Sequence, residues 1–229
     1  MRINKFVALA TGLSRRAADT AIASGRVEVN GSQPAVGDSI QDSDTVTIDK
    51  RSLTLPTQTI TIMLYKPVGY VCSRNGQGSK TIYDLLPVKY HALKPVGRLD
   101  KDTSGLLLLT NDGVLANHLT HPRYEKEKVY TVVLDKTLSA SDKTRLRHGV
   151  MLEDGVSRLQ VEPRQSSHES RASASTSRPA TYSVRLSQGR NRQIRRTFDA
   201  LGYTVTKLHR TQFGEYRLGK LEAGSLIII

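Results

Sequence analysis

The sequence has a single cysteine, Cys72, so no disulfide can form within the chain, which fits a reducing compartment. A lone thiol in an apolar run reads as a small core residue rather than a nucleophile. Long apolar runs are also missing. No stretch approaches the ~20 residues that cross a bilayer, and the N-terminus lacks an apolar run of signal-peptide length, so a cytoplasmic protein without a membrane partner is expected. His118 and His121 stand three apart without the H-E-x-x-H pattern or a cysteine cluster, which argues against zinc. "GQGSKT" at 76–81 lacks the residue order of a phosphate-binding loop, and no G-x-S-x-G elbow occurs. These absences predict that neither a metal nor an organic cofactor is used. Acidic side chains are in the minority, 21 against 34 Lys and Arg, and the net charge of +13 predicts a polyanionic partner, of which nucleic acid is the common one.

Periodicity divides the chain in two. Ile3, Phe6, Val7 and Ala10 share one helical face up to Gly12; Ser14 then reads as the N-cap of a second helix with Ala17, Ala18, Ala21 and Ile22 inward. "GRVEVNG" (25–31) is a short alternating strand ending in an Asn-Gly turn. Residues 1–48 are expected to form a helix–helix–sheet module, and 49–57 a polar linker. From 58 to 229 the pattern is α+β. Strands are expected at 59–66, 106–110, 128–134 and 180–187, and helices at 112–120 (capped from Asn111), 139–149 and 191–202. The unequal spacing suggests a mixed, mainly antiparallel sheet. The C-terminal Leu226-Ile227-Ile228-Ile229 reads as a buried strand, and the Ser-rich segment 165–178 as a flexible insertion.

Two basic clusters stand out. Arg2, Lys5, Arg15, Arg16 and Arg26 face only Asp19 among the first twenty-six residues, whereas residues 28–49 contain Glu28, Asp38, Asp42, Asp44 and Asp49 and no base. The first module therefore presents a basic helical side suited to phosphate contacts. Residues 183–220 hold nine Lys and Arg against two acids, more than half of the chain's net charge, as expected of an RNA-facing groove. Between them lies "PVGRLDKDTSGLLLLTNDG" (95–113), which puts Asp100 on a turn beside an apolar strand, two residues after Arg98. By position alone, such an aspartate reads first as a turn-capping residue.

At these residues the sequence resembles known families. "RINKFVALATGLSRRAADTAIASGRVEVNG" (2–31) is similar to the S4 RNA-binding domain. The string G-R-L-D-x-x-T-S-G-L-L-L-L-T-N-D-G resembles the signature of the RsuA/RluB-type ribosomal RNA pseudouridine synthases. "MLYKPVGYVCS" (63–73), "EKVYTVVL" (127–134) and "GRNRQIRRTFDALGYTVTKLHRTQFG" (189–214) resemble the family's other motifs. The resemblance implies that Asp100 is the essential carboxylate, acting either as nucleophile or as base at the sugar. It also implies that Tyr130 stacks on a flipped uracil, that Ile194 lies against the base, and that Arg195 lies against Asp100. Arg98, Arg192 and Arg196 are expected at the substrate. The implied activity is isomerisation of a ribosomal RNA uridine by a monomer acting on free rRNA or a pre-ribosomal particle. "GRLDKDTSGLLLLTNDG" and "HPRYEKEKVY" lean towards the RluB-like, large-subunit (23S) branch. The small-subunit (16S) enzyme is the alternative within the family, and a non-catalytic rRNA-binding assembly factor is the alternative outside it.

Overall fold

Gly12 and Ser14 break the first helical stretch in two, as their chemistry dictates. Gly12 takes a left-handed conformation (φ 77°) that closes α1 (Ile3–Thr11), and the Ser14 hydroxyl accepts the Ala17 amide at 3.0 Å to open α2 (Arg15–Ala23). The structure is a computed structural model that describes residues 1–164 and 179–229; the Ser-rich stretch 165–178 lies outside the described residues. Ile3, Val7, Ala8, Ala18, Ala21 and Ile22 are buried with Val27, Ile40 and Val46, while Phe6 packs on this cluster half-buried. The strands β1 (Val27–Val29), β2 (Val46–Ile48) and β3 (Arg51–Ser52) form an antiparallel three-stranded sheet in that order. Part of the expected linker is therefore strand: Asp49 and Lys50 turn with positive φ, and Arg51 pairs back onto Ile48.

The chain separates into two compact units. The first holds 1–61, 86–94 and 110–112, and the second holds 62–85, 95–109 and 113–229. The larger sheet has nine strands among the described residues. In chain order these are β4 (Thr61–Lys66), β5 (Lys94–Val96), β6 (Ser104–Thr110) and β7 (Lys128–Leu134), with the hairpin β8 (Val150–Leu152) and β9 (Gly155–Ser157) standing apart as its own pair. They continue as β10 (Gln160–Pro163), β11 (Ala180–Leu186), β12 (Val205–Phe213), β13 (Tyr216–Arg217) and β14 (Leu226–Ile228). The spatial order is β10-β11-β7-β12-β6-β4-β14, with β13 on β12 and β5 on β6. Pairing is antiparallel along β10-β11-β7-β12, and parallel between β12 and β6. Leu106, Leu107, Leu108 and Leu109 are all fully buried, as expected of a central strand covered on both faces.

Three sequence expectations are corrected. The helix expected over 191–202 is α5 (Gln193–Asp199): Arg192 takes a left-handed conformation at its start, and Gly202 turns the chain with φ 78° beyond its end. Asn111 does not cap α3 (Gly113–Thr120). Its amide instead accepts from the Ile60 N–H and donates to the Gln58 carbonyl, tying the end of β6 to the segment that leads into β4. The C-terminal strand pairs with β4 at the sheet edge, and Ile228 is 63% exposed rather than buried. The helix α4 (Ala140–His148), by contrast, is capped by Ser139 as expected.

The close approach of β6 and β12 requires a glycine. Gly105 has φ 113°, and a Cβ there would lie 2.2 Å from the Arg210 carbonyl oxygen and 2.6 Å from its nitrogen. Gly105→Ala is expected to cost about 2–4 kcal/mol through strained φ and strand separation. Urea unfolding checks this, and a loss below roughly 1 kcal/mol would mean that the two strands separate freely.

Candidate active site

Asp100 lies on the loop between β5 and β6, and the loop is fastened through its backbone. Leu99 is buried, and its N–H and carbonyl both engage the Cys72 thiol, at 3.4 and 3.3 Å. Lys66, at the end of β4, is fully buried, and its ammonium donates to the carbonyls of Pro67 (3.0 Å), Asp100 (3.0 Å) and Thr103 (2.7 Å). An ammonium carries three N–H donors, so all are used. Burial pushes the Lys66 ammonium below its ordinary value, while Asp100 and Asp102 pull the other way. Nothing in the sequence pattern marked Lys66 as part of the site, beyond its place in a Lys-Pro pair that follows an alternating strand.

The two carboxylates on this loop are placed differently. Asp102 is held by the Arg192 guanidinium (3.2 and 3.3 Å) and by Arg195 (3.2 Å), and its carbonyl accepts from Arg195 at 2.9 Å. Burial works to raise its pKa, but the two guanidiniums prevail and hold it below the usual carboxylate range. The Asp100 carboxylate accepts no hydrogen bond from a described residue, and its nearest cation is Arg192 at 3.7 Å. The expected contact of Arg195 with Asp100 is thus replaced by one with Asp102. Arg195 lies a turn further along α5, with its other Nη on the Val205 carbonyl, so its fork meets the next acid of the loop. Arg192 reaches back from a left-handed backbone (φ 47°), a conformation that costs a non-glycine residue about 1–3 kcal/mol and recurs at functional sites.

Buried polar contacts seat α5. The Gln193 amide donates to the Ser157 hydroxyl at 3.0 Å, and Thr197 donates to the same oxygen at 2.7 Å. Arg190 donates to the carbonyls of Asp154, Gly155 and Val156, and Arg196 meets the Asp154 carboxylate at 2.7 Å.

A cavity of about 740 Å3 opens between these elements. Asp100, Tyr130, Arg98, Arg192 and Ile194 line it together, as do Lys128 and Arg210, which the sequence reading did not assign to the site. Arg195 and Arg196 stand outside its lining, the latter occupied by Asp154 and the Asn191 carbonyl. Tyr130 is buried on β7, in register with Arg210 of β12 and Val184 of β11. Among the described residues, no group of three or more His, Cys, Asp or Glu is placed to hold a metal ion. Arg2, Lys5, Arg15, Arg16 and Arg26 all lie in the first unit and are exposed. Arg26 is paired with Asp49 at 2.5 Å, Arg2 donates to the Gly37 carbonyl and Arg15 to Asn4.

Residues 60–200 match the family model described as RNA pseudouridylate synthase. The chain is 34% identical over 226 residues to the ribosomal large subunit pseudouridine synthase B of Vibrio cholerae, covering 96% of this chain and 68% of that protein. It is 37% identical over 227 residues to the protein of the same name from Haemophilus influenzae, covering 96% of this chain and 61% of that one. A crystal structure described as a pseudouridylate synthase superposes with a TM-score of 0.68 at 30% identity, covering 100% of this chain and 96% of that one.

Two measurements test the electrostatics of the site. In Lys66→Met the Thr103 amide, bonded to the Asp100 carbonyl at 3.1 Å, should exchange hydrogen at least about tenfold faster, while amides of β6 keep their protection. Uniform exchange would mean that Lys66 does not hold the loop. Burial, with Arg210 nearby, pushes Lys128 from an ordinary 10.5 down to about 8. Between these values the unfolded chain binds more protons than the folded one, so this group adds stability as pH rises through the window. Urea midpoints at about pH 7.5 and pH 10 should therefore move in favour of the unaltered protein over Lys128→Met; a move the other way refutes the depressed value.

Proposed function

The chain belongs to the RNA pseudouridylate synthase family, and from that membership we propose that it converts a uridine of large-subunit ribosomal RNA to pseudouridine, with Asp100 as the reacting carboxylate. The observation that carries this reading is the difference between the loop's two acids. Asp102 is saturated by arginines, whereas Asp100 lines the cavity that Tyr130 and Ile194 also line, and its carboxylate accepts no hydrogen bond from a described residue. Isomerisation breaks the N1–C1′ bond, turns the base and joins C5 to C1′. It needs a carboxylate that reacts at the sugar as nucleophile or base, and a space that holds an unstacked base. Tyr130 supplies an aromatic surface worth ~1–3 kcal/mol to a stacked base, and Ile194 an apolar one. A non-catalytic assembly factor would have no use for an unbonded carboxylate placed in this way.

The large-subunit assignment draws on the names of the V. cholerae and H. influenzae relatives and on the sequence of the Asp100 loop. We read the first unit as an S4-type RNA-binding module, a reading supported by the helix pair packed on a three-stranded sheet and by exposed Lys5, Arg15 and Arg16. Arg26, being paired with Asp49, contributes less to an RNA contact than its position in the sequence suggests.

Chemical mapping of pseudouridine in large- and small-subunit rRNA fragments incubated with the protein tests both parts of the reading. Product in large-subunit fragments is expected. Asp100→Asn should lower the rate at least about a thousandfold and leave RNA affinity within a few-fold, because phosphate contacts, not this carboxylate, carry binding. Product only in small-subunit RNA would overturn the target, and an active Asp100→Asn would overturn the residue.

A further inference from the structure

Arg210 is the bulkiest fully buried side chain among the described residues, 2% exposed, and it stands on β12 in register with Tyr130 of β7 and Gly105 of β6. Its Nε donates to the Leu106 carbonyl at 2.8 Å, and its guanidinium lies 4.9 Å from the centre of the Phe213 ring. A guanidinium has five N–H donors. The four on Nη1 and Nη2 meet no hydrogen-bond acceptor among the described residues, and Nη2 is sealed from solvent. No carboxylate pairs with Arg210 either, since the ion pairs of the site belong to Arg192 and Arg195. Two cations feel its charge: Arg210 helps to push both Lys128 and Lys66 below their ordinary values. An unpaired buried charge is strongly unfavourable, and such an arrangement is tolerable where a bound molecule supplies the missing negative charge. Arg210 lines the cavity that holds Asp100, Tyr130 and Lys128.

We propose that Arg210, backed by Lys128, is a further catalytic residue that stabilises the negative charge gathered on the uracil as its glycosidic bond breaks. This rests on the pseudouridine synthase reading above. When N1–C1′ breaks, the electron pair stays on N1, and the base leaves as an anion with its charge shared among N1, O2 and O4. C1′ either bonds to an oxygen of Asp100, or the sugar yields its C2′ proton to that carboxylate and later takes it back. The base then turns and C5 bonds to C1′, with release of Asp100 where it was bonded. A proton leaves C5 and N1 gains one, so no atom is gained or lost. Unused donors held rigidly in a site of low dielectric are most effective towards charge that exists only during the reaction. A phosphodiester suits the position less well. Its charge is permanent and its backbone is long and solvated, whereas Arg210 is buried on the strand next to the tyrosine that would face the base.

The test compares Arg210→Gln and Arg210→Lys with the unaltered protein in single turnovers, at saturating rRNA fragment carrying either uridine or 5-fluorouridine at the target position. 5-Fluorouracil is the more acidic base and leaves more readily, so its departure needs less stabilisation. Arg210→Gln should slow bond cleavage at uridine at least about a hundredfold, and at 5-fluorouridine by about tenfold or less, with Kd and its salt dependence unchanged. Arg210→Lys should fall between. Equal losses on the two substrates overturn the proposal. So does a raised Kd with a flatter salt slope, which would assign Arg210 to a phosphodiester. Pseudouridine formation by the unaltered protein in the same assay separates failure of this proposal from failure of the functional reading. Should circular dichroism show Arg210→Gln unfolded, Arg210→Lys, which keeps charge and stem, decides by the same substrate ratio.

Discussion

The site depends on one buried ammonium. Lys66 enters the interior without a carboxylate partner, and three carbonyls replace its hydration shell, two of them from the loop that carries Asp100. Each donor of this buried ammonium that lost its carbonyl would add a desolvation cost, so the position of the loop and the burial of the lysine are coupled. Because the contacts are to the main chain, they fix where Asp100 starts from while leaving its carboxylate unengaged. A side-chain salt bridge would have located the residue by occupying the very group proposed to react.

The same loop then separates two tasks between acids two residues apart. Asp102 gathers Arg192 and Arg195 and so ties the loop to α5, while Asp100 has only the looser 3.7 Å approach of the same Arg192. The helix in turn rests on Ser157 through Gln193 and Thr197, and the β8–β9 hairpin is gripped by Arg190. Much of the basic charge in the last third of the chain is thus engaged inside the protein. Arg190, Arg195 and Arg196 serve architecture more than they serve an RNA-facing surface, and net charge alone overstates what is available to a polyanion.

Regular features were legible in the sequence because they repeat. The strand expected over 128–134 is β7, and its Tyr130, Val132 and Leu134 are buried. Ser14 and Ser139 signal their helices because a hydroxyl at that place satisfies an otherwise free amide. What escaped the pattern was long-range. Lys66 and Arg210 lie in strands where a base reads as solvent-facing, and apart from the neighbouring Pro67 carbonyl their acceptors sit 34 to 104 residues away. Whether Arg195 meets Asp100 or Asp102 turns on the angle of α5, which no local spacing encodes. The C-terminal run was apolar enough to suggest burial, but hydropathy does not tell a central strand from an edge strand.

The imbalance of charge around Arg210 and Lys128 has a consequence for the ions that travel with a nucleic acid. RNA arrives sheathed in potassium and magnesium, and a wall that carries Arg98, Lys128, Arg192 and Arg210 disfavours both. A target nucleotide that enters such a space leaves its ionic sheath at the mouth. Inside, the sugar and base meet only the fields that the protein has fixed in place. Ordinary variation in the ionic content of the surroundings therefore acts on how often the RNA arrives rather than on what happens to it once it is seated.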